Sequence, residues 1–172
     1  MRTLIAYFSR EGNNYVNGAI VYLPVGNTQV VAEKIKTLTD GELFRIESVK
    51  AYSSDYTSCT KEAQADYRAN ARPALKADIN NIAPYDAVIL AYPNYWGTMP
   101  MSVWTFLDAH DFSGKTILPL CTHEGSGMGR SESDLKKLCP NARVLEGLAI
   151  QGGSVANADG SIRRWLEKNG VI

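Results

Sequence analysis

The sequence predicts an α/β fold in which a parallel sheet is covered by helices on both faces. Three observations carry this. Short apolar runs ended by small or polar residues recur along the chain, helix-like amphipathic stretches separate them, and loops rich in Gly, Ser, Asn and Thr follow several of the runs. In 172 residues, five strands and about five helices match the smaller doubly wound sheet.

Four buried strands are expected at Leu4 to Phe8, Ala87 to Tyr92, Thr116 to Cys121 and Val144 to Ile150. A fifth, Glu42 to Glu47, alternates polar and apolar residues, as suits a sheet edge. Thr28 to Leu38 reads as a helix with Val30, Val31, Ile35 and Leu38 on one face. Further helices are expected over Ser58 to Asn70, Ser102 to Ala109, Ser131 to Leu138 (opened by a Ser-x-x-Asp capping pattern) and Ser161 to Lys168. Residues 10–25, between the first strand and first helix, exceed an ordinary connection. Within them Asn17-Gly18, flanked by Tyr15-Val16 and Ala19 to Leu23, predicts a small hairpin.

The composition is that of one globular domain spanning residues 1–172, with 45% hydrophobic residues and no internal repeat, low-complexity tract or interdomain linker. Lys plus Arg and Asp plus Glu number 18 each, so no basic excess invites nucleic acid. Cys59, Cys121 and Cys139 lie far apart, in no CxxC or zinc-like spacing, and fit reduced thiols better than a disulfide scaffold. The N-terminal apolar run is too short for a signal peptide or membrane span. A cytoplasmic protein with no membrane partner is the expectation.

In a doubly wound sheet, ligands sit beyond the C-terminal ends of the strands. After the first strand, Ser9 and Gly26-Asn27-Thr28 precede a helix, where free backbone N–H groups and the helix dipole favour an anion such as a phosphate. The competing reading is that Asn27 or Thr28 simply caps the helix. After the third strand, Tyr92-Pro93-Asn94-Tyr95-Trp96-Gly97-Thr98-Met99-Pro100 offers aromatic faces on a backbone fixed by proline and glycine, a platform for a planar ring unless Trp96 only closes the core edge. After the fourth, Thr122-His123-Glu124-Gly125-Ser126-Gly127-Met128-Gly129 lets backbone approach a ligand, though a Gly-rich connector would read the same. His123-Glu124 has no second histidine nearby to make a metal site.

Together, Ser9 with Gly26-Asn27-Thr28, the Tyr92 to Pro100 loop and Thr122 to Gly127 resemble a flavodoxin. More narrowly, Asn14-Tyr15-Val16-Asn17-Gly18 resembles the Asn-Tyr-Val-x-Gly insertion that one branch of flavodoxin-like proteins carries in its phosphate loop. The resemblance covers nearly the whole chain. It implies a flavodoxin-like three-layer α/β/α sandwich, a five-stranded parallel sheet in order 2-1-3-4-5, and noncovalently bound FMN. It further implies that Ser9, Gly26, Asn27 and Thr28 hold the phosphate, with Arg10 at the loop entrance. Gly12-Asn13-Asn14 is the alternative donor set, left open by the split loop. Pro93, Asn94, Tyr95, Trp96 and Gly97 would line one side of the isoalloxazine, and Thr122, His123, Glu124, Gly125, Ser126 and Gly127 its other edge and the ribityl chain.

The chemistry of such a protein belongs to the flavin, and no residue is expected as nucleophile, general base or metal ligand. Two functions are consistent with the resemblance. One is an electron carrier that shuttles electrons between redox partner proteins; the other is an NAD(P)H-dependent reductase acting on quinones or similar small acceptors. Dedicated carriers of the family tend to wear an acidic face, which formal neutrality here does not favour. Arg68, Arg72 and Arg130 could receive nicotinamide phosphates or be ordinary solvated charges. Tyr52 and Tyr56 could wall a substrate pocket or cover the sheet. Monomer and homodimer both remain open.

Overall fold

A computed structural model describes residues 1–172. Its centre is a parallel sheet containing β1 (Thr3–Tyr7), β4 (Glu42–Arg45), β5 (Ala87–Pro93) and β6 (Thr116–His123), edged by β7 (Arg143–Val144) and β8 (Leu148–Gln151). The order is β4-β1-β5-β6, with β7 and β8 both paired to β6. A separate antiparallel ribbon joins β2 (Gly12–Val16) to β3 (Ala19–Leu23). Asn17 and Gly18 form its turn with φ of 51° and 84°, the left-handed pair that a two-residue hairpin demands.

Period-two alternation divides the strands between two cores. From β1, Leu4 and Ala6 join one apolar cluster and Ile5 and Tyr7 the other; β5 divides likewise, Val88, Leu90 and Tyr92 against Ala87, Ile89 and Ala91. The first cluster is closed by α3 (Met101–Ala109) through Val103, Phe106 and Leu107, and by Leu135 of α4 (Ser131–Leu138). The second is closed by Val31, Ala32 and Ile35 of α1 (Asn27–Thr39) and by Ile162, Trp165 and Leu166 of α5 (Asp159–Lys168). α2 (Tyr56–Arg68) buries only Cys59 and Ala63, so much of its remaining face is available to line a site.

Two expectations fail for local reasons. The strand expected from Val144 to Ile150 is two short strands. Arg143 N donates to Lys115 O and Leu145 N to Ile117 O, so alternate residues of β6 face this edge. The next in that series is Pro119, which has no N–H to give, and the ladder breaks opposite it before resuming at Leu120 with Leu148. The capping pattern at Ser131 also does not form. Ser131 Oγ donates to Met128 O at 2.6 Å and accepts from the Tyr92 hydroxyl at 2.8 Å, while Asp134 accepts from Thr98 Oγ1 at 2.6 Å. The pattern serves to anchor β5 and its following loop to α4. Helix α5 begins at Asp159, and Gly152–Asn157 before it forms a short 3-10 helix.

Candidate functional site

The loops at the C-terminal ends of β1, β5 and β6 converge under the β2–β3 hairpin. At the end of β1, Ser9 Oγ accepts the amide of Gln29 at 3.0 Å, so a residue twenty positions upstream takes the capping role that Asn27 or Thr28 was a candidate for. The N-cap itself is Gly26, with extended backbone and no side-chain cap. A methyl group at Gly26 would collide with Ser9 Oγ and stand 2.5 Å from Arg10 O, so the backbone here passes where only glycine fits. The amides of Asn27 and Thr28 occupy helix positions that have no intrahelical partner. Thr28 Oγ1 reaches Thr122 Oγ1 at 2.8 Å and thereby joins this helix end to β6.

Gly12-Asn13-Asn14, the alternative phosphate loop, is strand β2. Asn14 turns its amide inward, donating to Arg10 O and Gly12 O at 3.0 and 3.1 Å. Arg10 bridges from Asn13 O to Ser54 O. The hairpin is moored at its turn, where Asn17 N donates to Glu124 Oε2, and along its side, where Tyr15 stacks on Tyr56 with ring centroids 6.2 Å apart.

At the end of β5, Asn94 ties the two remaining loops together. Its Nδ2 donates to Gly127 O and its Oδ1 accepts from Gly97 N, both at 2.9 Å, while its own amide donates to Thr122 O. Tyr95 and Thr98 exchange backbone hydrogen bonds around Trp96-Gly97, whose φ values are 55° and 84°. A left-handed tryptophan is a costly conformation for a bulky L-residue and persists only when its surroundings over-determine it. In the β6 loop, Gly125 N donates to His123 Nδ1 at 2.9 Å, which leaves Nε2 as the protonated nitrogen of the neutral ring.

Between these loops lie two adjoining cavities of about 200 and 300 Å³ that share Arg10, Asn14, Tyr56, Asn94 and Tyr95. Arg10, Asn14, Asn27, Thr28, Pro93, Asn94, Tyr95, Thr122, His123, Glu124 and Ser126 line the first, and Trp96 lines the second. Ser9, Gly26, Gly97, Gly125 and Gly127 shape the surrounding backbone without lining either. Two buried polar atoms on these walls have no partner, the Tyr95 hydroxyl and Glu124 Oε1. Burial pushes the phenol of Tyr95 far up, so at physiological pH it is a neutral hydroxyl in want of an acceptor. A helix end with unpartnered amides opening onto aromatic walls, with orphaned polar atoms on two of the lining residues, fits a phosphorylated planar ligand such as a flavin mononucleotide.

Sequence reasoning missed Cys59, Thr60 and Ala63 of α2 and Gly152 of the 3-10 helix. The α2 residues gave no signal beyond ordinary helical spacing. Gly152-Gly153 was legible, since it follows the last strand at the same sheet end. Tyr56 walls both cavities; Tyr52 lines a further one and donates to Asp66 Oδ2 at 2.6 Å. Arg72 is held by Asp108 and lies over the Trp104 ring, and Arg130 bonds the Trp96 loop, so neither is a free cation over the cavity.

A family model described as flavodoxin matches residues 2–169. A flavoprotein candidate from Bacteroides eggerthii DSM 20697 is 30% identical, with a TM-score of 0.78 over 97% of this chain and 96% of that one. A second, from Bacteroides uniformis ATCC 8492, is 25% identical with a TM-score of 0.73 over 96% and 97%. A flavoprotein from Lactobacillus acidophilus NCFM, solved in complex with FMN, is 20% identical with a TM-score of 0.68 over 95% and 97%, a likeness of fold. An ATP-dependent helicase/nuclease polypeptide of Staphylococcus carnosus is 42% identical over 52 residues, and the match spans only 4% of that protein's length. No helix is long and apolar enough to cross a membrane.

Proposed function

Because this chain belongs to the flavodoxin family, we propose that it is an FMN-dependent redox protein that passes electrons through a noncovalently held flavin. The observation that carries the reading is the continuity of the two cavities, from the α1 N-terminus to the aromatic walls of Tyr56, Tyr95 and Trp96. The amides of Asn27 and Thr28 would hold the phosphate, helped by the α1 dipole. Tyr95 would donate its orphaned hydroxyl to a ligand oxygen, and Asn94 fixes the distance between the loops on either side. The hairpin and Tyr56 exclude water from one flank. When bound, the flavin supplies the acceptance and release of electrons; the protein's contribution is placement and environment.

Between carrier and reductase, one observation favours the reductase. A third cavity of about 230 Å³ shares Arg10 and Tyr95 with the first two and is lined by Ser9, Arg45, Tyr52 and Ser54, giving room for a small second molecule beside the flavin site. Anaerobic reduction of the FMN-loaded protein tests both readings. Rapid bleaching by NADPH or NADH, followed by reoxidation with a quinone, identifies a reductase. Reduction by dithionite in two separate one-electron steps, with no response to either nicotinamide, identifies a carrier. Failure of the chain to bind FMN overturns the proposal itself.

A further inference from the structure

Arg130 lines neither flavin cavity, yet it touches two of the elements that build them, the loop after β5 and helix α2. Its Nη2 donates to the Trp96 carbonyl at 3.0 Å and to the Tyr67 hydroxyl at 2.7 Å, and its guanidinium lies 5.4 Å from the centroid of the Tyr67 ring. Its backbone N–H donates to Gly97 O at 2.6 Å. The contact with Gly97 is close enough that a methyl group there would stand 2.7 Å from Arg130 Nη1. The Trp96-Gly97 peptide is therefore held from both sides: its N–H by Asn94 Oδ1, its C=O by Arg130.

That peptide lies in the strained turn. Trp96 at φ 55° carries a left-handed penalty of about 1–2 kcal/mol for an L-residue, which specific contacts must offset. The indole is itself oriented, its Nε1 donating to Thr60 O of α2 at 2.9 Å, so that Trp96 and α2 together form the outer wall of the larger cavity. Arg130 joins the same two elements further along α2, through Tyr67.

We infer that Arg130 is a positioning residue for the flavin ring: by clamping the Trp96 carbonyl to Tyr67 of α2, it holds the left-handed Trp96 turn and sets the separation of the ring-binding walls. This rests on the flavin-binding reading above. The guanidinium is required, because its rigid fork places N–H donors on Trp96 O and the Tyr67 hydroxyl while its central carbon lies over the Tyr67 ring, a fixed delocalised geometry that the flexible point charge of a lysine does not reproduce.

The test compares wild type with Arg130→Ala, Arg130→Lys and Tyr67→Phe. It measures FMN affinity by quenching of flavin fluorescence, the midpoint potential of the bound flavin, thermal unfolding of the apoprotein, and the near-UV circular dichroism band that Trp96→Phe removes. Arg130→Ala should weaken FMN binding by up to about tenfold, the loss of a charge-assisted hydrogen bond. It should also displace the midpoint potential and reduce the Trp96 band, with little change in apoprotein melting. Arg130→Lys should rescue neither affinity nor potential, and Tyr67→Phe should fall between. Unchanged affinity and potential in Arg130→Ala, or full rescue by lysine, would overturn the inference. If the wild type binds no FMN, it is the flavin reading that falls, and the Trp96 band of the apoproteins still decides whether Arg130 holds the turn.

Discussion

Glu124 Oε2 accepts the backbone N–H of Asn17 at 3.1 Å, joining residues 107 positions apart. Through this contact the β6 loop holds down the turn of the β2–β3 hairpin. The fit is close: a methyl group at Gly153 would strike the Asn17 side chain, and one at Gly152 would strike Glu124. Truncation by Glu124→Ala should free the hairpin turn at a cost of about 1 kcal/mol. Amide exchange at Asn17 should accelerate and bound FMN should dissociate faster, as stopped-flow dilution would record. Identical exchange at Asn17 in the variant would rule out the mooring role.

Gly26 does not tolerate a side chain, because Ser9 Oγ and Arg10 O already occupy the space. Gly26→Ala should force the proposed phosphate cradle open at roughly 1–3 kcal/mol, with FMN affinity reduced about tenfold or more. Riboflavin, lacking the phosphate, should lose much less, and isothermal titration of both ligands separates a cradle defect from general damage. The milder Ser9→Ala should cost about 1 kcal/mol of stability through the lost cap on Gln29.

Trp96→Gly should act differently on stability and binding. Glycine relieves the left-handed strain, so the apoprotein should unfold within about 1 kcal/mol of wild type despite losing the bond to Thr60. FMN affinity should drop markedly with the aromatic wall removed. Parallel loss of both would mean that Trp96 serves the core edge alone.

Burial pushes the thiol of Cys121 up to about 12 and that of Cys139 to about 11, from an ordinary 9.0. A raised value means that the folded state keeps protons the unfolded chain would release. The resulting stability is complete below about pH 9 and declines as pH rises through the folded values. Urea unfolding from neutral to alkaline pH should show this decline, and Cys139→Ala should make it shallower. Native protein should also resist thiol reagents at mildly alkaline pH, since Cys59, also buried and with its thiol likewise raised by burial, completes the set of free cysteines.

Much of this protein was legible from its residues alone. The strands of the sheet's interior announce themselves because they are buried on both faces and so read as unbroken apolar runs. Asn17-Gly18 announces its turn through the backbone angles it requires. The three loops that border the cavities follow from their place after strands. Pro119 was visible too, but the neighbour it fails depends on pairing parity, which only the assembled ladder decides. Tertiary structure likewise decided that Ser9 caps α1, that α2 forms a cavity wall, and that Arg130 serves Trp96 rather than a free anion. Local pattern reports the conformations and burial that each segment prefers, whereas these contacts join residues far apart in sequence and exist only once the packed sheet brings their loops together.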